Sequence, residues 1–143
     1  MKIHLASKPA MIVHRRILAK HRIVYLLVGK KPFKYKGGRT RIAYIGTSKK
    51  GASRVASSAA HKADKFFSRW GSRQMEVFIA SCSAKPGLKS WQYLEHALLA
   101  VFLQLYRELP FCNKNGYKLD EKLRKMFKYE SLIGVLMAFD GKS

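Results

Sequence analysis

The chain has 143 residues, enough for one domain of ordinary size, and its 48% hydrophobic share excludes a chain disordered throughout. Lys and Arg number 29 against 8 Asp and Glu, a formal net charge of +21. Self-repulsion on that scale points to a polyanionic partner, either nucleic acid or an anionic membrane surface, rather than to a basic face kept only for solubility.

Two cysteines, Cys82 and Cys112, are too few for a disulfide scaffold and lack the CxxC spacing of a zinc site. Residues 1–21 form no firm element and read as an N-terminal extension. Lys2, Lys8, Arg15, Arg16 and Lys20 interrupt it, so it has no signal-peptide core. The longest apolar stretch, Ala97–Leu109, contains Gln104, Arg107 and Glu108 and is too short and polar to span a bilayer. The expectation is an intracellular protein, cytoplasmic or nucleoid-associated, with no membrane.

Ile23–Gly29 (IVYLLVG) is a short run of β-formers and reads as a buried strand. Lys30–Arg41, with Pro32, Gly37 and Gly38 as breakers, reads as a long basic hairpin loop, and Ile42–Gly46 as the returning strand. Thr47–Gly51 then turns into a helix over Ala52–Trp70. Val55, Ala59, Ala63, Phe66 and Trp70 form its apolar stripe, Arg54, Ser58, His61 and Lys65 share a polar face, and Gly71 ends it. Met75–Cys82 is a third strand. Pro86 and Gly87 precede a helix from Ser90, as N-cap, to Leu109, closed by Pro110. Residues 111–118 are a loop, and Asp120 caps a last helix running to about Phe139. The chain shows no repeat and no linker, so a single domain over 1–143 is expected.

Certain residues in this order resemble a known family. Tyr25 follows Ile23 and Val24 in the first strand, Tyr44-Ile45-Gly46 ends the second, and Arg54 lies ten residues after Tyr44 on the first helix. Glu95 lies inside the second long helix and Asn113 just beyond Pro110. Spacing and element order resemble the GIY-YIG nuclease domain over about residues 22–113, with 114–143 as a C-terminal helical extension. The resemblance implies an α/β (α+β) fold, a small three-stranded, mainly antiparallel sheet flanked by helices. It implies an endonuclease that hydrolyses DNA phosphodiester bonds with Mg2+ or Mn2+, on DNA as partner and with a dimer as one arrangement. Carried over by position, Glu95 holds the cation, Arg54 contacts the scissile phosphate, Tyr25 and Tyr44 position or activate water, and Asn113 supports the site. Ser58 stands where the family often has another polar residue one turn after the arginine, and His61, a further turn along, is taken in its place. The first glycine of the GIY triplet is Ile23 here.

Elementary chemistry fits the same set. Phosphodiester hydrolysis needs an activated water and stabilised charge on the phosphoryl oxygens. Arg54 offers a fork of donors matched to phosphate, and a hard cation on one carboxylate keeps several waters. A tyrosine beside a cation and a guanidinium is expected to favour its charged form and accept a proton from water. Glu95 emerges among Trp91, Leu98, Leu99 and Phe102, so its carboxylate needs a partner. Lys30, Lys31, Lys34, Lys36, Arg39 and Arg41, with Lys49, Lys50 and Lys65, are the expected phosphate contacts.

The competing reading is a non-catalytic basic RNA- or DNA-binding module that uses the 30–41 segment as a clamp, with Phe33 and Tyr35 to stack bases. A third is a basic helix lying on anionic lipid. A pure binder has no need of Glu95 in an apolar helix near two tyrosines and an arginine, and this favours the nuclease.

Overall fold

A computed structural model describes residues 2–7, 12, 22–69, 72–82 and 87–141. Most of the N-terminal extension, Trp70, Gly71 and Pro86 lie outside the described residues. The described elements are β1 (Ile23–Tyr35), β2 (Gly38–Ser48), α1 (Ala52–Phe67), β3 (Met75–Ala80), α2 (Ser90–Tyr106), α3 (Glu121–Met126) and α4 (Tyr129–Met137). The three strands form an open antiparallel sheet in the order β2-β1-β3, which with four helices makes an α+β fold.

β1 is the central strand. Successive side chains of a strand point to opposite faces, yet every residue from Ile23 to Gly29 is buried, so this stretch is covered on both sides. That is why its sequence is a continuous apolar run rather than an alternation.

The basic segment expected as a loop is instead the outer half of a long hairpin. From Phe33 the pattern alternates, with Phe33 and Tyr35 buried and Lys34 and Lys36 exposed, a strand period the lysines conceal. The Tyr35 hydroxyl donates to the carbonyl of Ile42 at 2.7 Å and accepts from the amide of Phe111 at 3.3 Å. The register slips between Val28 and Phe33, where Pro32 lacks the N–H a regular ladder would need. Gly37 brings the turn against the end of α2: its amide donates to the carbonyl of Tyr106 at 2.8 Å, and a Cβ there would lie 2.5 Å from the carbonyl oxygen of Leu105.

α1 buries Val55, Ala59 and Phe66, the inner part of its expected stripe, and stops at Phe67. Phe66 makes edge contacts with Phe33 and Phe67 and is fully buried. Truncating an aromatic of this kind to alanine costs about 3–5 kcal/mol. α2 carries Leu98, Leu99, Val101 and Phe102 into the core. Ser90 is already inside the helix and Lys89 holds the cap position without a side-chain bond. The helix ends before Leu109 because Arg107 turns left-handed (φ 59°) while its amide still bonds the carbonyl of Leu103 at 2.9 Å.

Asp120 caps α3 as expected, its Oδ1 accepting from the amide of Leu123 at 2.9 Å. The last helix, however, is two. Leu123 and Leu132 are both buried, but nine residues at about 100° each would put them on opposite sides of one straight helix. Extended backbone at Phe127 and Lys128 breaks it, so both leucines reach the core. No helix among the described residues is long and apolar enough to cross a membrane.

Candidate active site

In the β1–β2 ladder Tyr25 lies opposite Gly46 and Leu27 opposite Tyr44. Tyr25 and Leu27 share a face, so the two tyrosines are diagonal neighbours on one side of the sheet, with ring centroids 5.7 Å apart at 48°. Gly46 makes room for this pair. A Cβ on it would lie 2.5 Å from Cε1 and 2.6 Å from the hydroxyl of Tyr44, because the ring rests over the glycine backbone. Gly46→Ala is expected to keep the fold and displace the Tyr44 ring, and a tyrosine side-chain NMR shift, with unchanged far-UV circular dichroism, reads it.

α1 closes over the pair. The Tyr25 hydroxyl donates to Ser58 Oγ at 2.6 Å in a buried contact, and the Lys62 ammonium stands 4.3 Å from the Tyr44 ring centroid. Arg54, Ser58 and Lys62 lie at successive i, i+4 steps, so one strip of the helix runs along the tyrosines. Arg54 is exposed at its end, and its charge, after the dominant effect of burial, helps lower the pKa of Lys62. His61 is exposed and makes no hydrogen bond or ring contact among the described residues; Ser58 and Lys62 hold the position at the tyrosines assigned to it from the sequence. Lys62 was missed, although its spacing from Arg54 and Ser58 is the signal that finds it.

Tyr44 keeps its proton well above the usual phenol range. Burial is the main cause, Tyr25 and the charge of Glu95 add to it, and a hydrogen bond from Ser58 opposes it. Without a divalent cation beside it, Tyr44 is a phenol at neutral pH.

Glu95 stands on the third side. Its carboxyl is half-buried, makes no hydrogen bond or ion pair among the described residues, and is pushed up from 4.5 to about 7 by burial. Its charge acts on Tyr44 and on Tyr117, so it lies within electrostatic reach of both. A half-buried carboxylate without a donor fits a hard divalent cation that keeps much of its water. No group of three or more His, Cys, Asp or Glu among the described residues could hold a metal, so Glu95 would do so as a lone carboxylate.

Asn113 is a clamp on the edge of the sheet. Its Oδ1 accepts from the Ile45 amide at 3.0 Å and its Nδ2 donates to the Ile45 carbonyl at 2.8 Å, as a neighbouring strand would. The amide of Cys112 donates to the carbonyl of Ala43 at 2.9 Å alongside. The edge of β2 next to Tyr44 is thus held by the 112–113 segment. Asn113→Ala leaves both Ile45 groups without their partner and should lower stability by about 2 kcal/mol, read by urea unfolding.

No family model, curated protein or solved structure matches the chain.

The phosphate contacts expected from the sequence divide into two places. Lys65 lies on α1 near the tyrosines, where its charge, with that of Lys114, bears on Lys62. Arg69 joins this side, its guanidinium 4.6 Å from the Phe111 ring centroid. Lys49 and Lys50 are exposed just before α1. Lys30, Lys31, Lys34, Lys36 and Arg39 are exposed on the outer hairpin. The turn at Gly38 is six residues of strand, about 20 Å at 3.3 Å per residue, from Tyr44, while Lys30 and Lys31 lie nearer to it, between the Val28–Ile42 and Phe33–Thr40 pairs. Arg41 is half-buried, donating to the carbonyl of Gly29 at 3.5 Å and lying 5.6 Å from the Phe139 ring, so part of its reach is used within the protein.

Proposed function

We propose that this chain is a metal-dependent endonuclease of the GIY-YIG type that hydrolyses phosphodiester bonds in DNA. The observation that carries the reading is Glu95, half-buried and without a hydrogen-bond or ion-pair partner among the described residues, within electrostatic reach of a tyrosine pair along which Arg54, Ser58 and Lys62 run. A structural ion pair would have given Glu95 a cationic neighbour, and a plain binding surface would have left it in water.

A divalent cation held by Glu95 supplies a polarised water and positive charge against the phosphoryl oxygens. The remaining work falls to the chain's own side chains. Arg54 forks onto non-bridging oxygens, and Lys62 adds a second cation above Tyr44. Tyr44 orients or activates the attacking water, and burial holds its phenol proton until a divalent cation stands beside it. Tyr25 has its proton committed to Ser58 and fixes the ring against which Tyr44 rests. Asn113 holds the backbone that carries Tyr44. In this reading the protein acts inside the cell, where Cys82 and Cys112, both unbridged, stay thiols.

Incubation with supercoiled plasmid, with and without magnesium, tests this. Nicking that requires the metal supports it. Tight, salt-sensitive binding with no cutting under either condition returns the chain to the basic binding module.

A further inference from the structure

A shallow cleft of about 210 Å³ lies between α2 and the segment 117–123, and the charge of Glu95 reaches Tyr117 in its lining. Its lining is aromatic and cationic. His96 and Tyr117 stack with centroids 3.7 Å apart at 16°, and Tyr93 meets His96 edge-on at 6.4 Å and 84°. The Lys122 ammonium donates to the Tyr93 hydroxyl at 2.7 Å and sits 4.2 Å from its ring centroid. Lys118 also lines the cleft. Its one carboxylate, Asp120, is occupied in capping α3.

The His96 ring is half-buried and lies against Tyr117. Tyr117 rests one face on it and remains 36% exposed, an unusual outlay of aromatic surface on a loop. Nothing in the hydrolysis requires these rings. A flat ring backed by a second ring and flanked by lysines is the chemistry that receives a base with its phosphate, and a base inside a duplex presents no free face to it.

Resting on the nuclease reading, we propose that the cleft formed by Tyr93, His96, Tyr117 and Lys122 stacks an unpaired base next to the scissile phosphate, so that the substrate is nucleic acid with a single-stranded or junction element. Tyr117 is the platform, the lysines hold the adjoining phosphates, and Glu95, whose charge acts on both Tyr117 and Tyr44, lies within reach of base and cut alike.

The full chain without metal is titrated with a single strand and a duplex of equal length, each carrying a fluorescent adenine analogue. Wild type is expected to favour the single strand and change the analogue's emission. Tyr117→Ala should lose single-strand affinity about tenfold, with duplex affinity unchanged as its folding control, and Tyr117→Trp should restore it. Equal affinity of wild type for both strands, or equal loss on both in Tyr117→Ala, overturns the subsite. An unchanged emission in wild type does so without any variant. Cutting in magnesium is scored separately. Cleavage without single-strand preference removes the subsite and leaves the nuclease. A Tyr117-dependent preference without cleavage leaves the subsite and removes the nuclease.

Discussion

Glu95→Gln is expected to abolish magnesium-dependent nicking, leave DNA affinity intact or slightly higher, and make the protein more stable above neutral pH. The amide is nearly isosteric, so α2 keeps its packing, but the charge that would hold the cation is gone. Loss of the polarised water and the counter-charge removes several kcal/mol of transition-state stabilisation, about a thousandfold or more in rate. Affinity survives because one negative charge facing the phosphates disappears.

The stability change follows from the displaced pKa. An unfolded carboxyl releases its proton near 4.5 while the folded one holds it to about 7, so within that window the folded state binds more protons. Stability therefore falls as pH rises through the window, and above it the wild type carries the full penalty. Discounted for the exposure of a half-buried group, the penalty is about 1–2 kcal/mol. Thermal melts should show the glutamine variant a few degrees higher at pH 8 and level with wild type at pH 4. A variant that cuts near the wild-type rate would remove Glu95 from the chemistry. Equal melting at both pH values would mean the carboxyl is better solvated than its surroundings indicate.

Neutralising the outer hairpin (Lys30, Lys31, Lys34, Lys36 and Arg39 to glutamine) should weaken DNA binding on every sequence and flatten its salt dependence. Each phosphate contact adds about 0.9 to the slope of log affinity against log salt, so five contacts account for up to about 4–5. Between low and physiological salt that is about two to three orders of magnitude in affinity. The cations are exposed and the turn is held by backbone contacts at Gly37, so the fold should survive. Lys36 and the turn stand about 20 Å along the strand from Tyr44, while Lys30 and Lys31, between the Val28–Ile42 and Phe33–Thr40 pairs, stand about 7–13 Å from it. The loss from Lys34, Lys36 and Arg39 alone should therefore appear in KM, with kcat kept at saturating DNA. An unchanged salt slope would show that the hairpin does not touch DNA, and a collapse of kcat would place it at the reaction.

Much of this molecule is legible in its residues. The β-former run from Ile23, the helical stripe of Val55, Ala59 and Phe66, and Asp120 before its helix each carry a local signal that tertiary packing did not override. The pairing of Tyr25 with Tyr44 on one face is an expectation of the family resemblance, since the register that produces it passes irregularities after Leu27 and after Val28 that spacing alone does not show. What could not be read depends on partners distant in sequence. The basic segment looks like a loop until Phe33 and Tyr35 find Phe66, Phe111 and Phe102 to cover them. The last helix looks continuous until Leu123 and Leu132 must face one core. Lys62 meets the tyrosines only because α1 is laid across the sheet, and the Tyr44 proton is held above the usual phenol range because burial removes it from water. Periodicity and residue type determine where a strand or helix forms and which side is apolar. Which groups then lose their water is a property of the assembled layers, and that loss sets the chemistry of Glu95 and Tyr44.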